Sequence, residues 1–223
     1  MDVQLSDATV GVIGGTGPQG RGLAYRWARA GLTVVIGSRD AARAEATAAE
    51  LRELAGVDTV TGAANQQCAS DADLVLVAVP WDGHAATVSA LRAELAGKIV
   101  IDCVNPLGFD KQGPYPLPVS EGSAAQQAAA LLPDSTVTAA FHHVSAVLLA
   151  DPALDKIDTD VLVLGDDRDA VGLVIELAAA VPGVRGIYGG RLRNAGQVEA
   201  LTANLIAINR RYSAHAGIRV TDV

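Results

Sequence analysis

The sequence predicts an α/β protein: a doubly wound, mostly parallel sheet followed by a small C-terminal α+β part. Three observations carry this expectation. Short β-branched runs alternate with Ala-, Glu- and Leu-rich stretches from residue 9 to about residue 140, the order expected of βαβ units. The clearest strand, Leu74 to Val79, is apolar throughout, so both of its faces are to be covered. Half of the 223 residues are hydrophobic and only 4% are aromatic, and a chain of this length can bury a full core.

Thr9–Ile13 reads as the first strand and ends in Gly14-Gly15. Gln19–Ala30 is helical, with Leu23 and Trp27 on the inner face, Arg26 and Arg29 pointing away, and Gly31 as the stop. Thr33–Ile36 is the second strand, and Ala41–Ala55 a helix ended by Gly56. Asp58–Thr61 is the weakest strand of the set. Leu74–Val79 closes at Pro80, Ala85–Leu95 is helical, and Ile99–Asp102 is the next strand. Asn105–Glu121 carries four prolines and reads as a long loop of the kind that serves a site. Ser123 caps a helix, with Gln126 three residues on, and Thr136–Ala140 is the sixth strand. The expected strand order is 3-2-1-4-5-6, which makes the first part Rossmann-like. Beyond it, Val161–Leu164 and Val184–Tyr188 are strands, Ala170–Ala180 a helix, and Asn194–His215 one long helix. That helix carries a stripe of Val198, Leu201, Leu205, Ile208 and Tyr212, which serves either the core or a dimer interface. Two domains follow, 1–145 and 146–223.

Charge and cysteine usage narrow the function classes. The net charge of −8, with no dominant basic stripe, argues against nucleic acid as a partner. No apolar run is long enough to span a bilayer, and Asp2 and Asp7 stand where a signal peptide would be basic. A cytoplasmic protein is expected. Cys68 and Cys103 are far apart, have no metal-ligand spacing, and read as small buried residues.

The strongest motif is Gly15-Thr16-Gly17-Pro18-Gln19-Gly20, a G-x-G-x-x-G loop between strand and helix. Its first glycine suits a tight turn, the second admits a pyrophosphate, and the third lets helix and strand approach. The helix N-terminus then faces the anion with free N–H groups. At the end of the second strand, Gly37-Ser38-Arg39 replaces the acidic residue that would accept ribose hydroxyls. A hydroxyl and a guanidinium suit a 2′-phosphate instead. Arg43 lies one helical turn on, and Asp40 reads as a helix cap. The cofactor expected is NADP rather than NAD.

Acid–base chemistry is poorly represented. None of the four tyrosines has a lysine four residues on, and none of the three lysines lies in a late helix. A hydride transfer that needs no obligatory acid or base fits best. His84, His142 and His143 follow strands on the rim where cofactors sit.

Several stretches together resemble one family. They are Gly14–Ala24, Gly37-Ser38-Arg39, Val79-Pro80-Trp81, Asn105–Gly108, Ala140–Ala146, Gly165-Asp166-Asp167 and Gln197–Thr202. The combination resembles the NADPH-dependent reductases of the deazaflavin coenzyme F420, in the form found in actinobacteria. The resemblance implies reversible hydride transfer between NADPH and coenzyme F420. It implies that Thr16, Gly17, Pro18, Gln19, Ser38, Arg39 and Arg43 hold the adenosine and phosphate side of NADP. Val79, His84, Asn105 and Ala146 would follow along the cofactor, and His142 and Val144 would lie beside the deazaflavin. It also implies a homodimer. Six arginines and one carboxylate between Arg185 and Arg219 offer a cationic patch for a polyanionic coenzyme, or pair with the acidic remainder. An imine reductase and a non-catalytic NADP sensor are the competing readings.

Overall fold

The fold is taken from a computed structural model, which describes residues 4–223; Asp2 lies outside the described residues. After a 3-10 turn at Leu5–Asp7, the elements run β1 (Thr9–Ile13), α1 (Pro18–Arg29), β2 (Thr33–Ser38), α2 (Ala41–Ala55), β3 (Val60–Ala64), α3 (Asn65–Asp71) and β4 (Leu74–Val77). They continue with α4 (Trp81–Ala90), α5 (Arg92–Leu95), β5 (Ile99–Asp102), β6 (Leu107–Asp110), β7 (Gly113–Pro116), α6 (Ala124–Leu131) and β8 (Thr136–Ala139). The last are α7 (Ala146–Ala150), β9 (Thr159–Gly165), α8 (Arg168–Ala179), β10 (Val184–Gly190), a 3-10 turn at Leu192–Asn194, and α9 (Ala195–Tyr212).

One eight-stranded sheet has the order β10-β9-β8-β5-β4-β1-β2-β3. The expected order appears in its first six strands, and every pairing among those is parallel. β9 then joins β8 antiparallel, and β10 joins β9 parallel. Residues 146–223 thus extend the same sheet. Successive strand residues feed opposite cores: Val34 and Ile36 face one and Val35 the other, as Leu74 and Leu76 oppose Val75 and Val77. This is the two-core packing that continuous apolar strands require.

Helix ends follow local chemistry. Pro18 opens α1, the position where a missing N–H costs nothing. The Asp40 carboxylate accepts from the Ala42 and Arg43 N–H groups, and the Ser123 hydroxyl from that of Gln126, so both act as the expected caps. Gly56 ends α2 in the left-handed conformation.

Three expectations are corrected. The proline-rich stretch after Asn105 contains an antiparallel hairpin, β6–β7, packed on α9. Its turn is made by Asp110, whose carboxylate accepts from the Gln112 and Gly113 N–H groups. Ala85–Leu95 is two helices, broken at Leu91. Arg26 does not point away: it is 2% exposed and gathers the carbonyls of Leu148, Leu149, Asp151 and Leu154 around α7.

The two cysteines are free and buried, as read from the sequence. Burial pushes the Cys68 thiol up to about 12 and that of Cys103 also upward, which leaves both unreactive. Among the described residues, no helix is long and apolar enough to cross a membrane.

Candidate dinucleotide and deazaflavin site

A groove of about 690 Å³ crosses the C-terminal edge of the sheet where strand order reverses, between β1 and β4. Open α/β sheets bind ligands at this point because the loops diverge there. Gly14, Thr16, Gly17, Pro18 and Gln19 form one wall, and Ser38, Arg39 and Arg43 one end. Val79 and Pro80 form the opposite wall.

The glycines act much as the motif predicts, with one change. The left-handed turn falls on Gly14 (φ +80°) rather than Gly15, and a Cβ there would lie 2.6 Å from the Ala78 carbonyl oxygen. A Cβ on Gly20 would sit 3.0 Å from the Gly14 carbonyl oxygen and from Gly15 Cα, so this glycine does let α1 close on the strand. Gly15 and Gly20 are buried beneath the groove rather than exposed in it. Ser38 is nearly buried, and its Oγ accepts from the Asp40 N–H at 3.2 Å. Arg39 and Arg43 are exposed and make no ion pair among the described residues. Asp40 also borders the groove, but its carboxylate is engaged by the backbone of α2.

Past Val79 the groove leads to two smaller cavities that share Trp81 and Asn105. One, of about 190 Å³, is lined by Gln19, Val79, Trp81, Asn105 and His142; the other, of about 350 Å³, by Trp81, Asn105, Phe109, Thr202 and Ile206. A small bonded frame holds this corner. Asn105 Nδ2 donates to the His142 carbonyl at 2.9 Å. The Thr202 hydroxyl lies 3.2 Å from that carbonyl and 3.3 Å from Asn105 Oδ1. Gln19 Nε2 donates to the Phe141 carbonyl at 3.1 Å. Phe141 takes a positive φ of 66°, a strain of about 1–3 kcal/mol for a bulky residue. Its ring is locked edge-on against Trp27, with centroids 5.5 Å apart.

His142 and His143 are each 4% exposed, and none of their ring nitrogens has a partner among the described residues. Burial lowers both pKa values to about 4, so both rings are neutral near pH 7. A pH prediction follows for His143. Below pH 6.5 the unfolded chain binds a proton that the native chain refuses until about pH 4, so stability falls as pH falls through that window. His143→Leu should therefore gain about 2 kcal/mol relative to wild type between pH 6.5 and pH 4.5. Urea unfolding at both pH values reads the difference, and a pH-independent difference would mean that native His143 takes up its proton as readily as the unfolded chain does.

Several expected residues lie elsewhere. His84 is fully buried and faces away from the groove, because α4 begins at Trp81 and turns Gly83 and Thr87 toward the groove instead. Val144 is a core residue, and Ala146 opens α7; neither lines the groove or the two smaller cavities. The cationic segment is half neutralised. Arg185 and Arg219 both pair with buried Asp160, and Arg219 also with Asp158. Arg191 lies 3.5 Å from Asp166. Trp81, Asn65 and Thr202 carry no motif that marks them from the sequence, although Trp81 and Thr202 stand in the stretches that carry the resemblance. Asn65 borders the groove with its buried Oδ1 unbonded among the described residues.

Comparison with known proteins identifies the family. Residues 9–106 match the family described as NADP oxidoreductase, coenzyme F420-dependent. The F420-dependent NADP reductase of Methanothermobacter thermautotrophicus is 41% identical over 96% of this chain and 95% of its own length. That of Methanocaldococcus jannaschii is 36% identical over 96% and 98%. The crystal structure of a candidate F420-dependent NADP reductase from Arthrobacter sp. FB24 is 29% identical, covers 96% of this chain and 99% of that one, and superposes with a TM-score of 0.79. With relatives this similar across nearly the whole length, and a groove that places Ser38, Arg39 and Arg43 at one end, the chain belongs to the F420-dependent NADP reductase family.

Proposed function

We propose that this chain transfers hydride reversibly between NADPH and the deazaflavin coenzyme F420. The observation that carries the reading is the continuity of the charged groove with the two cavities around Trp81 and Asn105. The site is chemically suited to both coenzymes. Two guanidinium groups without carboxylate partners among the described residues suit a 2′-phosphate, and the glycine turn leaves room for a pyrophosphate. Asn105 and His142 supply amide and imidazole groups at the far end.

When bound, the nicotinamide supplies a hydride and the deazaflavin accepts it, its ring delocalising the charge. The protein's own work is positional. Ser38, Arg39 and Arg43 hold the phosphate end, Thr16 and the start of α1 the pyrophosphate. Val79, Asn105, Trp81 and His142 border the space where two rings would stack. No side chain need exchange a proton in the transfer, and catalysis rests on proximity and orientation. The neutral state of His142 fits that task, since it adds no charge beside a hydride.

The protein mixed with NADPH and coenzyme F420 should bleach the deazaflavin's visible absorbance. Reduction of an ordinary flavin with no effect on the deazaflavin would overturn the reading.

We also infer a homodimer. Ile208 and Tyr212 on α9 and Phe109 and Tyr115 on the adjoining hairpin leave large apolar side chains 40–72% exposed, more than a monomer usually shows in one region. Light scattering should give twice the chain mass, and a monomer at assay concentration would refute it.

A further inference from the structure

Behind the cleft lies a buried polar chain that lines neither the groove nor the two smaller cavities. His84 is fully buried in α4. Its Nε2 lies 2.6 Å from Asp102 Oδ2 at the end of β5, and its Nδ1 lies 3.0 Å from Gln127 Oε1 on α6. The Gln127 amide is oriented by its other end, since its Nε2 donates to Glu121. Both ring nitrogens therefore face acceptors. Only the doubly protonated ring can donate to both, so the geometry calls for an imidazolium.

The charges around it agree. Asp102 is fully buried, and His84 is the basic group that meets its carboxylate. Glu199 on α9 also acts on His84 through space, but its carboxylate accepts from the Ala124 and Ala125 N–H groups at the start of α6. Burial, partly offset by those two bonds, raises Glu199 to about 7, which leaves Asp102 as the principal counter-charge. Burial alone would lower the His84 pKa, but the bond and charge of Asp102, with smaller help from Gln127 and Glu199, raise it.

Two contacts run from this pair to the cleft. The His84 ring stacks on Trp81, with centroids 5.5 Å apart and planes at 29°. The second oxygen of Asp102 accepts from the Val104 N–H at 3.0 Å, which fixes the turn that presents Asn105. Trp81 and Asn105 are the two residues common to both small cavities. Buried polar networks that are fully satisfied are rigid, because any displacement leaves a charge unpaired in a low dielectric.

We propose that His84 is a positioning residue for hydride transfer: held as an imidazolium between Asp102 and Gln127, it sets the Trp81 ring and, through Asp102, the Asn105 side chain that together shape the far end of the cleft. It touches neither coenzyme. The kinetic part of this inference rests on the hydride-transfer reading above, and the spectroscopic part does not.

The test begins with the wild-type protein labelled with 15N at its four histidines, the His84 signals being assigned by their loss in His84→Gln. At pH 7, His84 should show two protonated ring nitrogens with slowly exchanging hydrogens. A ring carrying one proton overturns the proposal. The protein has two tryptophans, and Trp81→Phe identifies the emission of Trp81. A stacked imidazolium quenches indole fluorescence, so His84→Gln should brighten Trp81; unchanged emission counts against the stack. In the coenzyme assay, His84→Gln and Trp81→Phe should each lower kcat about tenfold, the scale of a sub-ångström misplacement. The KM for NADPH should stay within about twofold, because its phosphate end is untouched. Unchanged kcat in both variants, or a rise in KM alone, overturns the proposal. If the nitrogen and fluorescence results hold while the wild type fails to reduce the deazaflavin, the coenzyme assignment is what has failed.

Discussion

Replacing Arg39 and Arg43 together by alanine should raise the KM for NADPH about 100-fold while leaving that for NADH within about threefold. Charge-assisted hydrogen bonds to phosphate contribute about 1.5–3 kcal/mol each, and 1.4 kcal/mol is a factor of ten. Two such groups in an exposed groove, discounted for solvent screening, give about two orders of magnitude. The structure sharpens this expectation. Both guanidinium groups stand at the end of the groove beside Ser38, with no carboxylate partner among the described residues to release them from. Asp40, the acidic residue that would repel a 2′-phosphate, is held by the Ala42 and Arg43 N–H groups as the cap of α2. Steady-state kinetics with both cofactors measure the effect. An equal rise for NADPH and NADH would mean that the arginines bind the shared pyrophosphate and do not choose between the cofactors.

The second large effect is on stability. Arg26→Met should lower the unfolding free energy by about 3–5 kcal/mol, because it leaves four carbonyls without their donor at about 1 kcal/mol or more each. Arg26 is nearly all buried and donates to four carbonyls, at 2.6 to 2.8 Å, around the C-terminal end of α7. Helix ends leave such carbonyls without partners, and a cation there also offsets the negative end of the helix dipole. Burial lowers the pKa of the guanidinium, yet it stays charged near neutral pH. Methionine would fill part of the volume but would strand the carbonyls of Leu148, Leu149, Asp151 and Leu154. Arg26→Lys should recover only part of the loss, because an ammonium cannot span four acceptors in a planar fork. Urea unfolding reads both variants, and a loss below 1 kcal/mol for Arg26→Met would mean water replaces the guanidinium.

These two arginine sites differ in what could be read from the chain. Arg39 and Arg43 lie within six residues of the strand end that suggests their proposed role, so short-range spacing is enough to single them out. Arg26 shares a helix face with exposed positions by periodicity alone, and only α7, more than 120 residues on, makes that face an interior one. His84 is a similar case. Its place after Pro80-Trp81 puts it on the cofactor rim, but the start of α4 at Trp81 rotates it inward to Asp102. The hairpin β6–β7 was hidden because prolines argue against strands unless they occupy edge positions, and this two-stranded sheet has only edges.

The alternation of strands and helices and the first six places in the sheet are legible in the chain alone. The glycine loop and the Ser-Arg pair proposed to choose the cofactor are legible there as well. All of these depend on periodicity, glycine conformation or residues within one βα unit. Long-range packing places the last two strands in the same sheet and makes Arg26, His84 and Glu199 interior groups. It also decided that three of the six late arginines meet acidic partners, and that Trp81 and Asn105 close the cleft. The physical reason is distance along the chain. A buried charge is defined by the partner that satisfies it, and here the partners lie 18 residues away for His84, 75 for Glu199 and 123 for Arg26.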